Sequence, residues 1–309
     1  MEDRYLFFSI IVPTFNRPAQ LTHCLQSLER LDYPRDRFEV IVVDDGSETL
    51  TEPIAYSFRN RLRITLITQT HSGPATARDK GAMHAKGEFL AFTDDDCMPA
   101  ADWLRALAAR FTETPDIMIG GRTLNVLLDN PYSTASDLLI RYLYAYYNGN
   151  PAQAGFFTSD NLTVPKGRFR QLGGFDMFFP RGGGEDREFC ERWLRHGFRM
   201  TYAPEVLIYH AHPLTLQSFC GQQFNYGCGA FRFHHLRARH RSDRIRIEPL
   251  SFYGNMLRYP LSDVQGPKKY WFSALIVLSQ AAIAAGFLWQ MVRYLIRENS
   301  QALSSRRYD

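Results

Sequence analysis

The chain is poor in the features that mark an exported or metal-thiolate protein. Its five cysteines, Cys24, Cys97, Cys190, Cys220 and Cys228, are scattered singly through 309 residues with no CxxC pair. An odd number of isolated thiols argues against a disulfide framework or a zinc cage, and for reduced cysteines in a cytosolic protein. The opening residues MEDRYLFFSIIVPTFNR begin acidic and hold only a short apolar run, so they lack the basic start and cleavage region of a signal peptide. A cytoplasmic N-terminus is expected. Charge is in small excess, +4 overall, too mild to imply nucleic acid unless it is concentrated. There is no internal repeat and no low-complexity tract. What the chain does have is 45% hydrophobic and 14% aromatic residues, enough to bury a sizeable core.

From Tyr5 to Arg122, the apolar runs YLFFSIIV, FEVIVV, RITLIT, EFLAFT and DIMIGG alternate with longer segments of helical spacing. This pattern predicts a parallel sheet covered by helices. Leu21, Leu25, Leu28 and Leu31 recur at three- and four-residue intervals after Asn16 and Pro18, which predict a cap and a helix start. Residues 125–153 are rich in tyrosine and read as helical or irregular. FFTSDNLTVPKGRFRQLGGFD then brings turn residues and a second small unit.

Polar residues at the strand ends carry the chemistry. VIVVDDGS ends in Asp44 and Asp45, and EFLAFTDDD ends in Asp94, Asp95 and Asp96. Ligands of open α/β sheets bind outside the carboxyl ends of the strands, so both clusters are expected on one rim. Three adjacent carboxylates repel one another, so either a positive partner sits against them or they face open water. Asp44 reads as a cap of the following turn. In GGGEDREFCERWLRHGF, glycines 182–184 give a flexible approach to Glu185 and Asp186 at a helix start, where backbone N–H groups favour negative charge. Phe189, Trp193 and Leu194 form that helix's apolar face, and Gly197 ends it.

Two features lie near the C-terminus. RFHHLRARHRSDRIRIEP holds Arg232, Arg237, Arg239, Arg241, Arg244 and Arg246. A solvated basic face is the default reading; contact with anionic lipid headgroups, at about 1 kcal/mol per residue, is the alternative. Residues 270–292, YWFSALIVLSQAAIAAGFLWQMV, approach the ~20 residues a membrane span needs, interrupted by Gln280 and Gln290. Trp271 and Trp289 lie towards the ends, with Lys268, Lys269, Arg293 and Arg297 outside them. A span, a helix lying on the membrane, and a core or dimer helix all stay open.

Taken together, SIIVPTFNR, VIVVDDGS, ARDKGAMHAKGEFLAFTDDDC and GGEDREFCERW resemble the family 2 inverting glycosyltransferases of the GT-A fold, in order from Ser9 to His212. The resemblance implies an α/β fold with a mainly parallel central sheet flanked by helices, and here a C-terminal helical extension. It divides the chain into a nucleotide-sugar-binding half (1–122), an acceptor and catalytic half (123–230) and a basic, amphiphilic extension (231–309). The implied reaction moves a sugar from a nucleoside diphosphate sugar to a hydroxyl of a glycan, lipid or small molecule, with inversion and a divalent metal, Mn²⁺ or Mg²⁺. A lipid-linked acceptor, membrane contact through residues 268–297 and a place at the cytoplasmic face of the membrane fit this reading; nucleic acid does not.

The same resemblance carries roles onto particular residues. Pro13 and Thr14 would pass close to the base, and Asp45 would accept a hydrogen bond from it. Arg78 would lie near the nucleotide, where fixed guanidinium donors suit an anion. Asp94 and Asp96 would form the DxD motif, with Asp95 between them on the donor side. Hard divalent cations take oxygen ligands, so Asp96 is expected on the metal and Asp94 on the ribose, the metal or its water. Alternation along an extended segment turns Asp95 away unless the strand end breaks it. Asp186 matches the base that deprotonates the acceptor hydroxyl, with Glu185 orienting it or touching the acceptor and Glu188 purely electrostatic. In VLIYHAHP, His210 is the metal candidate and His212 its rival on the same strand face. Asp160 and Asn161 suit sugar hydroxyls in the acceptor pocket, and equally an ordinary turn. QQFNYG carries no tryptophan where processive synthases of the family have QxxRW. A nucleotidyltransferase of related fold and a non-catalytic nucleotide-sugar-binding or membrane-associated protein are the alternatives. The acidic pair after the glycine run speaks against the first, and intact Asp94, Asp96 and Asp186 against the second.

Overall fold

The computed structural model describes residues 5–179, 183–241 and 248–305, with side chains omitted for 239–241 and 298–305. Gly182, Arg244 and Arg246 therefore lie outside the described residues, as do the side chains of Arg239 and Arg241. In chain order the elements are β1 (Phe8–Thr14), α1 (Pro18–Glu29), β2 (Phe38–Asp44), α2 (Glu52–Ser57), β3 (Ile64–Thr68), α3 (Pro74–His84), β4 (Phe89–Phe92), β5 (Cys97–Pro99), α4 (Trp103–Glu113), β6 (Met118–Asn125), α5 (Pro131–Tyr147), β7 (Leu162–Pro165), α6 (Lys166–Leu172), α7 (Glu185–Arg195), β8 (Met200–His210), α8 (Leu216–Arg241), α9 (Leu250–Asp263) and α10 (Lys268–Ser305).

The strands form one sheet in the order β3-β2-β1-β4-β7-β6-β8-β5. β1 to β4 are parallel to one another, and β6 is parallel to β8. Between these groups β7 runs antiparallel to both β4 and β6, and β5 closes the far edge antiparallel to β8. The expected parallel sheet is thus interrupted by one short strand, LTVP, that reads as turn in the sequence. The expected domain boundary at 122/123 falls inside β6, and that at 230/231 inside α8, so neither separates independent units.

Successive residues of a strand face opposite sides, and both sides of β1 are covered. Ile10 and Val12 pack with Leu21, Leu25 and Leu28 of α1 and Trp103 and Leu107 of α4. Ile11 packs in the opposite layer with Ala77 of α3, Phe169 of α6 and Phe189 and Trp193 of α7. Leu194, expected on the apolar face of α7, is exposed instead. Asn16 does not cap α1. It sits at φ 55°, donates its backbone N–H to Ser47 Oγ and accepts from the Glu48 N–H, tying the ends of β1 and β2 together.

A further layer of α5, α8, α9 and α10 joins through Leu138, Phe219, Phe272 and Leu275, and through Leu139, Phe252, Met256 and Ile276. α8 and α10 approach closely at two glycines. A Cβ on Gly227 would lie 2.0 Å from the Ile283 carbonyl oxygen, and one on Gly286 2.0 Å from that of Phe224. Among the described residues, Lys268–Arg297 of α10 is one stretch long and apolar enough to cross a membrane. Part of it is core; Trp271, Leu278, Trp289 and Ile296 on another stripe are exposed. All five cysteines are free thiols.

Candidate active site

The carboxyl ends of β1, β2 and β4 meet on one rim, as the strand-end acids predict. Asp44 Oδ1 accepts the Ser47 N–H at 2.9 Å and caps the turn. Asp45 lies deeper. Its carboxylate accepts from Gln69 Nε2 and from the backbone N–H groups of Ser72 and Gly73, and lies 2.9 Å from His71 Nδ1. A carboxylate has about four acceptor sites, so the observed work of Asp45 is to pin the 69–73 loop. That loop brings the His71 ring, stacked on Phe15 at 4.2 Å between centroids, to the rim beside Pro13. Neither ring was singled out by the sequence, where a lone aromatic and a lone histidine carry no signal.

The three adjacent aspartates offset their mutual repulsion with positive and hydrogen-bonding partners, one of which, Arg17, is shared. Asp94 Oδ1 lies 2.7 Å from Arg78 Nη2. Asp95 accepts the Thr14 hydroxyl at 2.7 Å and Arg17 Nη1 at 3.2 Å. Asp95 and Asp96 occupy a turn between β4 and β5, which breaks strand alternation and keeps Asp95 on the rim. Burial pushes its carboxyl up to about 7 against the opposing charge of Arg17. Asp96 accepts Arg17 Nη1 at 2.9 Å and faces both histidines, His210 Nε2 at 3.1 Å and His212 Nδ1 at 2.7 Å. The pairing of Cys97 with His210 in the β5–β8 ladder sets that meeting. Burial opposes ionisation of Asp96, but the two imidazoles hold its carboxyl well below the usual range. Burial likewise opposes charge on His210, while Asp96 pushes it up to about 9.

Asp96, His210 and His212 bring one oxygen and two nitrogens within 4.8 Å of one another, a donor set that fits a divalent cation. The rivals of the sequence reading therefore both join the cluster. Asp94 does not: its carboxylate is engaged by Arg78. Arg17, to which the sequence reading gave no role, touches two of the three aspartates.

Across the cavity, α7 starts at Gly184, with φ 103°, a conformation that favours glycine. Glu185 is 4% exposed; its Oε1 lies 3.5 Å from Arg78 Nη1 and its Oε2 is buried without a partner. Asp186 is half-buried, receives hydrogen bonds from Ser159, and has a buried Oδ1 without a partner. Burial pushes both carboxyls up, Asp186 to about 6, with Arg78 opposing. Glu188 points elsewhere and is bridged to Arg192 at 2.7 Å. Tyr226 of α8 lines the same space, packed on Gly183.

The pair expected in the acceptor pocket divides. Asp160 lines the cavity, accepting Thr123 Oγ1 at 2.8 Å while its Oδ1 is buried without a partner. Asn161 is 1% exposed; its Oδ1 accepts Trp103 Nε1 and its Nδ2 donates to the Arg122 and Val206 carbonyls. With its amide taken by three strands and helices, Asn161 is a joint of the fold and not a sugar contact.

The family described as "Glycosyl transferase family 2" matches residues 9–171, and the one described as "N-terminal domain of galactosyltransferase" matches residues 145–213. The chain is 30% identical over 247 residues to hyaluronan synthase of Pasteurella multocida, covering 69% of this chain and 25% of that protein. It is 29% identical over 228 residues to glycosyltransferase AglE of Haloferax volcanii, covering 72% of each. Two further relatives are matched over about half their length. Among solved structures, mannosyltransferase PcManGT from Pyrobaculum calidifontis, in complex with GDP-Man and Mn²⁺, has a TM-score of 0.59 at 20% identity, over 97% of this chain and 81% of that one. TarS 1-349 from S. aureus, in complex with UDP-GlcNAc, has a TM-score of 0.54 at 18% identity, over 95% and 92%. These likenesses establish the GT-A fold.

Proposed function

Because the chain belongs to glycosyltransferase family 2, we propose that it transfers a sugar from a nucleoside diphosphate sugar to a hydroxyl acceptor, with inversion. The carrying observation is that a carboxylate–imidazole cluster and a second carboxylate with a free buried oxygen line one cavity. The nucleoside lies against Pro13, Thr14 and the Phe15–His71 pair, at the loop that Asp45 pins. Asp94 and Arg78 face the ribose and diphosphate, with Asp95 fixing Thr14 behind them, and Asp160 takes sugar hydroxyls.

Asp96, His210 and His212 would hold the cation, which would supply positive charge to neutralise the departing diphosphate. The mixed oxygen and nitrogen donors suit Mn²⁺ ahead of Mg²⁺, which prefers oxygen throughout. Asp186 accepts the acceptor's hydroxyl proton while that oxygen bonds to the anomeric carbon. The bond from that carbon to the diphosphate breaks on the opposite face, and the leaving group departs with the electron pair. A base pushed up to about 6 is matched to work near neutral pH. Glu185, held beneath it by Arg78, orients the pair. The exposed stripe of α10, with Lys268, Lys269, Arg293 and Arg297 near its ends, supports contact with the cytoplasmic face of a membrane.

The test is a panel of UDP- and GDP-sugars with and without Mn²⁺. Release of nucleoside diphosphate from one or two donors, dependent on the metal, is expected. Metal-dependent binding of every donor with no diphosphate release, at any acceptor concentration, would leave a binding protein in place of an enzyme.

A further inference from the structure

The cavity is larger than its donor. At about 1470 Å³ it exceeds the roughly 300–1,000 Å³ of a small-molecule site. Its walls also change character. At the sheet rim they are carboxylates, imidazoles and Arg78. Among the helices they turn largely apolar, with Leu139, Ile140 and Leu143 of α5, Phe252 and Met256 of α9 and Ile283 of α10, although Ser136 and Asp137 of α5 and Gln222 and Asn225 of α8 line the cavity too. Asp186 and Tyr226 line the same cavity. On α10, Gln280, Ile283, Ala284, Phe287 and Leu288 follow three- and four-residue spacing, so one stripe of the helix faces the cavity. Trp271, Leu278, Trp289 and Ile296 fall on the opposite stripe. Ala284 and Leu288 line the cavity and are themselves exposed, so this arm opens alongside α10.

We propose that the apolar arm is the acceptor subsite, built for a hydrocarbon chain. The acceptor is then an amphiphile whose hydroxyl reaches Asp186 and whose chain lies between α5, α9 and α10. This rests on the glycosyl-transfer reading above. A glycan in the arm would bring hydroxyls against leucine, isoleucine and phenylalanine side chains that offer them no hydrogen bonds, at a desolvation cost a chain does not incur. The mouth at Ala284 and Leu288 lies on a helix that also carries an exposed apolar stripe and basic ends, features suited to a protein whose acceptor is an amphiphile.

The test uses the full chain and n-alkyl β-D-glucosides from methyl to octyl, below their micelle concentrations and without vesicles, with binding read by calorimetry. Affinity is expected to rise about fourfold per added methylene, the ratio for burying one CH₂. Ala284→Trp, which fills the mouth, and Leu143→Gln, which makes a wall polar, should flatten that rise. Ile296→Asp, on the opposite stripe, should keep it. Equal affinity for methyl and octyl glucoside overturns the proposal, as does a rise abolished by Ile296→Asp and kept in Ala284→Trp. Should the variants unfold, a diazirine-tagged octyl glucoside decides on the parent protein. Cross-links within 139–143 or 252–256 support the arm, and labelling confined to the outer stripe of α10 sinks it. Diphosphate release from the donor panel is scored separately. A parent that shows chain dependence without that release overturns glycosyl transfer and leaves the chain site standing.

Discussion

Asp186 and Glu185 are neighbours in sequence with different surroundings, and those surroundings divide their work. Glu185 is buried against Arg78, whereas Asp186 is half-buried with an unpartnered oxygen. Asp186→Asn keeps the shape and removes the proton acceptor, so turnover should fall by about 10²–10⁴-fold with donor affinity unchanged. Single-turnover rates at saturating donor check this; normal chemistry in the variant would remove Asp186 from the base role. The same group sets the pH response. Burial raises its carboxyl to about 6, and only the ionised form accepts a proton, so kcat should fall as pH drops through about 6 and level off above. A profile flat down to pH 5 would contradict it. On the metal side, His210→Ala and His212→Ala should each weaken Mn²⁺ binding by at least the ~10–100-fold that losing an outer-shell partner costs. Titration of free Mn²⁺ by spin resonance reads this without donor. If His212→Ala binds Mn²⁺ as the parent does, the cluster is structural. The acidic residues were legible because strand-end carboxylates have few bland uses. Arg17 was not, because its contacts with Asp95 and Asp96 span 78 and 79 residues, a relation no local pattern encodes. Asn161 misled for a similar reason: its type suits a sugar, and only the packed fold shows its amide already taken.

At the scale of elements, α10 has two unlike faces. Its inner side packs into the core through Phe272, Leu275 and Ile276, and at Gly286 onto α8. Deleting the helix would therefore unpack α5, α8 and α9, so membrane contact is better tested on the outer stripe. Leu278→Glu with Ile296→Glu should reduce flotation with anionic vesicles while the thermal melt stays near the parent's; undiminished flotation would contradict the assignment. The sequence already showed this helix as a 270–292 run without choosing among its readings, because an amphipathic core helix and an interfacial one share a composition. The apolar runs of β1, β2 and β4 were plain for the opposite reason: strands buried on both faces are continuously apolar. β7 was hidden. Four residues flanked by Asn161 and Lys166 look like a turn, and only pairing with β4 and β6 makes them a strand.

For the whole molecule, the decisive quantity is where charge sits rather than its sum. The chain is net positive by 4, yet the cavity wall gathers Asp94, Asp95, Asp96, Asp160, Glu185 and Asp186. An acidic cleft repels a nucleoside diphosphate, whatever the distant surface carries. Arg17, Arg78, Arg187 and a charged His210 offset part of that field but are already paired with Asp94, Asp95, Asp96, Glu185 and Glu248. Donor and cation should therefore bind cooperatively, and the cooperativity should appear in global stability. The contacts that build the site join residues 81, 107 and 116 positions apart, so the site forms only with the fold. A ligand held at 100 times its Kd by the native state alone adds about 2.7 kcal/mol, a shift on the order of 5 °C for a chain of this size. Donor without Mn²⁺ should move the melting temperature little, Mn²⁺ alone modestly, and the two together by more than the sum. Asp96→Ala should abolish the excess, because the donor then meets the acidic wall without a cation. Additive shifts in the parent protein would mean that the carboxylates do not control donor entry, and that the metal and donor sites are separate.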